Sequence, residues 1–215
     1  MKSENYKTLD LFQSILHKEH LKPIGFKKKQ RNFNRIVDDE ITQVINLQMW
    51  QSAPNETEIP GLRPNLSGQF TINLGVYLPI VNSTLSDLPT PKFIAEYTCH
   101  IRTRLGELVN SQDEWYSIQP ENNELIEELT GKGLDWFSNF SSYERILEYF
   151  ESTGQLDFNT IGRSKLLAAI IHKHLNNEKK TEELLNSAFY ENQGHPFQGY
   201  LKEQAERLGI KITSR

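Results

Sequence analysis

The sequence predicts an α+β protein: an antiparallel sheet of about four to five strands packed against an N-terminal helix and a set of C-terminal helices. Three observations lead there. Residues 70–78 alternate without a break, Phe70, Ile72, Leu74, Val76 and Leu78 against Thr71, Asn73, Gly75 and Tyr77. That is the period of a strand with one dry face and one partly polar face. Residues 33–37 and 41–50 flank the polar tip Asp38-Asp39-Glu40, the pattern of a hairpin. In the second half the apolar spacing changes to that of helices.

Taken in order, residues 8–21 read as a helix, with Leu9, Phe12 and Leu16 on one stripe and Pro23 ending it. Gly25 permits a turn into an extended segment. The hairpin and the alternating strand follow. A fourth strand is predicted around residues 97–105 and a short fifth one around residues 115–118. Two long connections, 52–68 and 79–92, carry three prolines each and read as structureless loops of the kind that often serve function. Ile126, Leu129, Gly133, Trp136, Phe137 and Phe140 then share a helical stripe. Ser141 and Glu144 match a capping box for the next helix, which Gly154 stops. Residues 164–175 are apolar almost all round, so that helix is expected to be packed on two sides. Two short amphipathic helices, 181–190 and 197–208, complete the chain. The expected organisation is an α+β domain over residues 1–155, with a helical extension, 156–215, packed on it as one structural unit.

With 215 residues, 37% hydrophobic and 24% charged, the chain is neither disordered nor a membrane protein by composition. No apolar run reaches the length of a membrane span, and the opening MKSENYKTLDLF has no apolar signal core. The single cysteine, Cys99, forms no internal disulfide. A cytoplasmic location is the expectation. The sequence is silent on oligomeric state.

No catalytic motif emerges, and no metal or cofactor site is assigned. His17 and His20 stand three apart beside Glu19, a spacing that suits two metal ligands, but no third is evident. His172 and His174 fall on different helix faces. Cys99 and His100 are neighbours in a predicted strand and so point to opposite faces, which favours a buried structural thiol. Gly131-Lys132-Gly133 lacks a phosphate-binding loop and fits the middle of a helix.

Two charge features stand out. Lys22, Lys27, Lys28, Lys29, Arg31 and Arg35 make a basic cluster. Lysines also protect strand edges, and the net charge of −4 disfavours nucleic acid as the partner. Between Asp113 and Asp157 eleven acids face only Lys132 and Arg145. A solvated helix face accounts for this; the functional alternative is a surface centred on Glu124, Glu127, Glu128 and Asp135 that steers a basic partner. Finally, Asn46 and Gln48 are expected to share the polar sheet face with Thr71 and Asn73. Amides there either anchor a covering loop or bind a ligand, and Gly75 beside them suggests a close approach.

Several patches, in order, resemble the bacterial domain of unknown function 4304 family. They are Gly25-Phe26-Lys27-Lys28, Phe33, Val44-Ile45-Asn46-Leu47-Gln48, Phe70-Thr71-Ile72-Asn73-Leu74-Gly75, Arg102-Thr103-Arg104-Leu105-Gly106 and Asp113-Glu114-Trp115-Tyr116. The resemblance covers roughly residues 5–150; the loop after Trp50 looks expanded and the helical tail lies outside it. It implies an α+β domain of a bacterial cytoplasm and carries over no catalytic residue. Small acidic bacterial domains of this style are often immunity proteins against secreted toxins, which by analogy implies a protein-binding module. The alternative is a small-ligand binder or an unrecognised enzyme using the polar face of the sheet.

Overall fold

The computed structural model describes residues 4–51, 66–156 and 161–213. The loop expected at 52–68 lies almost wholly outside the described residues, as does Asp157.

The first helix, α1 (Glu4–Ile15), runs straight into a wider π-helical turn, Leu16–Leu21. Leu9, Phe12, Leu16 and Leu21 are buried along it. The sheet follows: β1 (Lys27–Lys29), β2 (Asn32–Ile36), β3 (Thr42–Met49), β4 (Gln69–Tyr77), β5 (Ile101–Arg104) and β6 (Tyr116–Ser117). All described pairings are antiparallel, in the order β1-β2-β3-β4-β5, with β6 pairing β4 beside β5. The expected hairpin is β2 and β3, joined through a short 3-10 turn, Asp38–Glu40.

The register settles the two faces. Asn46 lies opposite Asn73, Gln48 opposite Thr71 and Val44 opposite Gly75. Phe33, Ile45, Leu47, Ile72, Leu74, Val76 and Ile101 therefore point the other way, and all are buried. Against them pack α1 and the helical run α4 (Asn123–Glu128), a π turn Leu129–Gly133, and α5 (Leu134–Ser138). Phe12 meets Phe70 at 5.6 Å and Phe26 meets Phe137 at 6.3 Å. One buried cluster continues from these residues through α6 (Tyr143–Thr153), α7 (Ile161–His174), α8 (Glu178–Glu191) and α9 (Phe197–Arg207). Helix α7 is buried continuously from Leu166 to Ile171, as its unbroken apolar run predicts.

Four expectations change. The start of the 79–92 connection is a helix, α2 (Pro79–Leu85): Pro79 sits at its first turn, where a missing N–H costs nothing. The strand expected over 97–105 is shorter, because Glu96–Thr98 forms a 3-10 turn that brings Cys99 over the sheet. Ser142, not Ser141, caps α6: its hydroxyl accepts from the Arg145 N–H at 3.3 Å, while Ser141 donates back to the Ser138 carbonyl. The basic cluster is split by strand alternation. Lys27–Lys29 form the outer strand β1, whereas Arg35 stacks over Phe26 at 4.6 Å and donates to Gln43.

Candidate functional site

The amide face of the sheet divides into a covered half and an open half. Over the covered half lies the chain that follows α2. Asn34 ties it down with both ends of its amide: Nδ2 donates to the Ile94 carbonyl at 3.0 Å and Oδ1 accepts from the Ile94 N–H at 2.7 Å. Ile94 and Cys99 bury there against Val44 and Tyr77. Cys99 presses on Gly75 so closely that a Cβ at that position would lie 2.7 Å from its Cβ and Sγ. The close approach read from Gly75 is therefore that of a side chain of the protein itself, Cys99. Glu96, buried in the same segment, takes a two-pronged ion pair from Arg102 at 2.6 and 3.1 Å.

Over the open half stands a cleft of about 440 Å³, lined by Arg31, Asn46, Gln48, Trp50, Arg104 and Trp115 among others. It continues along Gln69, Asp113 and Glu114. Its floor is a hydrogen-bonded set. Asn73 donates to Asn46 at 3.2 Å and to Gln48 at 2.9 Å, and accepts from Arg104 Nε at 3.2 Å. Arg104 also pairs with Asp113 and lies over the Trp115 ring at 5.6 Å. Trp115 meets Trp50 edge-on at 5.2 Å. The Thr71 hydroxyl, fully buried beside this set, has no hydrogen-bond partner among the described residues.

The chain builds this wall by a short excursion. After β5 it enters α3 (Leu105–Asn110), where the Glu107 carboxylate accepts from the Arg104 N–H at 3.0 Å. It returns as β6 on the same edge of β4. Gly106 allows the two passes to touch, since a Cβ there would lie 2.5 Å from Glu114 Cβ and 2.8 Å from the Gln112 carbonyl.

Three of the four amide-face residues named from sequence, Asn46, Gln48 and Asn73, thus come together in one bonded set, with Thr71 beside it. The amide that anchors the covering segment is Asn34, which sequence patterning did not single out. Arg31, Trp50, Arg104 and Trp115 were also missed as site residues. A signal existed for Arg104: Arg102 and Arg104 alternate with Ile101 and Thr103, which places both arginines on the amide face.

The remaining candidates sit elsewhere. His17 Nε2 lies 3.0 Å from the Phe26 carbonyl. Among the described residues no group of three metal-ligating side chains stands together. Burial, then the nearby Glu96 charge, pushes the Cys99 thiol well above its ordinary range, so it stays protonated. His100 stacks on Tyr77 at 5.0 Å and its Nδ1 accepts the Leu78 N–H. Burial, aided by the Arg163 charge, holds its pKa down to about 4. Glu124, Glu127 and Asp135 are exposed on α4 and α5. Burial, then Glu124 and Glu114, raise the carboxyl of Glu128, so three acids crowd one spot.

The fold and this cleft define an α+β protein whose polar sheet face is half sealed by its own chain and, among the described residues, half open. The family described as "Domain of unknown function (DUF4304)" matches residues 17–139, more than half of the chain, and the chain belongs to it. The matched stretch contains every strand and the whole cleft; α6 to α9 follow it. No curated protein and no solved structure matches the chain. No helix among the described residues is long and apolar enough to cross a membrane.

Proposed function

We propose that this protein is a binding module that holds a small polar ligand in the cleft over Asn46, Gln48 and Asn73. The observation that carries this reading is the contrast between the two halves of one sheet face. Amides at one end secure a covering segment, while those at the other bond to one another, to Arg104 and to the Arg31 carbonyl, and border a cleft beside two tryptophans. Amides, guanidinium and indole groups recognise; they neither take up nor release protons near neutral pH, so they favour binding over acid–base chemistry. A location in the cytoplasm accompanies this reading.

A thermal-shift screen with nucleosides, monosaccharides, amino acids and small carboxylates tests it. A ligand at a hundred times its Kd adds about 2.7 kcal/mol, which raises Tm by roughly 5–10 °C in a chain of this size. The rise should vanish in Gln48→Ala. A panel that leaves Tm unmoved overturns the reading.

One observation favours a second reading, an immunity-type inhibitor that masks a basic toxin surface. It is the crowding of Glu114, Glu124 and Glu128, where burial first and then the two neighbouring charges raise the Glu128 carboxyl above its ordinary range. Charge reversal of Glu124, Glu127 and Glu128 should then abolish capture of the partner, and indifference of capture to those changes and to salt sinks that mechanism.

A further inference from the structure

Arg104 has only donors to offer. Its Nε donates to Oδ1 of Asn73, which turns the Asn73 nitrogen toward β3. That nitrogen donates to the side-chain oxygens of Asn46 and Gln48. Asn46 passes its own nitrogen on to Oδ1 of Asn32 at 3.1 Å and to the Arg31 carbonyl at 3.4 Å. The string of amides therefore has a direction, set at one end by a group that cannot accept. Reversing any member would place donor against donor or acceptor against acceptor.

Gln48 ends one branch of this string on exposed ground. Its oxygen is committed to Asn73, so the NH2 is what it has left to present to the cleft. On the neighbouring rim stands Arg31, stacked over Tyr6 at 4.7 Å and ion-paired with Asp10 at 3.9 Å, a length without a hydrogen bond. The charge of Arg104 is already met by Asp113. Gln48 and Arg31 thus turn N–H groups to one side of the cleft, while Asp113 and Glu114 stand along its continuation.

We infer that the cleft is a donor site that selects planar carboxylates, the carboxylate held by Gln48 Nε2 and the Arg31 guanidinium and the ring set against Trp50 or Trp115. This rests on the reading that the cleft holds a ligand and adds the ligand's polarity. An ammonium would set its own N–H groups against those of the rim.

Benzoate and benzylamine, alike in ring and opposite in charge, are the probes. Each is titrated into the full chain while the Gln48 side-chain NH2 and the indole N–H signals of Trp50 and Trp115 are followed by NMR. Benzoate should shift all three, with an affinity at least tenfold above that of benzylamine. Gln48→Glu keeps an oxygen for Asn73 but turns a second oxygen outward; it should weaken benzoate at least tenfold and favour benzylamine. The variant's unfolding midpoint should match the parent's, because the change is on the surface. Benzylamine bound as tightly as benzoate by the parent chain overturns the polarity and leaves the cleft as a binding site. Benzoate affinity unchanged in Gln48→Glu overturns the role of Gln48. Failure of both probes overturns this inference alone if the broader screen finds another ligand, and takes the cleft reading with it if that screen is silent.

Discussion

Gly75→Ala tests how firmly the covering segment is seated. The added methyl would lie 2.7 Å from two Cys99 atoms, Cβ and Sγ, whereas non-bonded carbons rest at roughly 3.5–4.0 Å, so about 1 Å of retreat is required. Neither side gives easily. Strand β4 is bonded to β3 on one side and β5 on the other. Cys99 donates to the Glu96 carbonyl and His100 to the Val76 carbonyl, each at 2.9 Å. Overpacking of this kind costs about 1–3 kcal/mol. Replacing a strand glycine by alanine recovers roughly 0.5–1 kcal/mol of it. A net loss of about 1–2 kcal/mol lowers Tm by roughly 2–8 °C in a chain of this length. Urea unfolding gives the energy. The rate of Cys99 modification by a thiol reagent gives the local opening, since the chain has one cysteine. Cys99→Gly removes both offending atoms, so a double-mutant cycle should return a coupling of about 1 kcal/mol or more. A Gly75→Ala protein as stable as the parent, with Cys99 as slow to react, would refute the steric reasoning; so would a cycle without coupling.

Ser142→Ala should cost about 1 kcal/mol by removing the cap of α6, while Ser141→Ala stays within about 0.5 kcal/mol; equal losses in urea unfolding would contradict the capping geometry. The folded-state pKa of His100, about 4, lies below its ordinary 6.5, so between those values the unfolded chain holds the extra proton. Its contribution is complete above pH 6.5 and lost as pH falls toward 4, by up to about 3 kcal/mol. His100→Asn, which keeps an acceptor for Leu78, should flatten the pH dependence of the urea midpoint over that window, and an unchanged slope would count against it. We propose that residues 156–215 fold with residues 1–155 as one unit, because α7 joins the same buried cluster as the sheet. A chain ending at Gln155 should lose cooperative thermal unfolding, and a sharp transition from it would show two separable units.

Much of the fold was written in side-chain periodicity. The alternation from Phe70 to Leu78 fixed the strand and its faces, because only one pleat phase buries Ile72 and Leu74. Gly154, with φ of 71°, ends α6 where the sequence places the stop. Strand β1 was read only as an extended segment, because three lysines carry no apolar signal; pairing with β2 alone makes Lys27–Lys29 a strand. Helix α2 was hidden by its prolines, since a first-turn proline and a loop proline look alike in one dimension. In the site, Asn46, Gln48 and Asn73 were legible because strand alternation put them on one face. Trp50 and Trp115 were not, since 65 residues separate them and only the pairing of β6 with β4 brings them into contact.

The far edge of β4 is completed by two pieces of chain, β5 and β6, with α3 spliced between them. The cleft's ceiling is therefore mounted on a detour rather than on the sheet. Lengthening or shortening the stretch from Leu105 to Glu114 would reshape what stands above Asn73 while the amide floor keeps its place. The strands and the wall above them are thus separate pieces of chain, so the shape of the one is not bound to the sequence of the other.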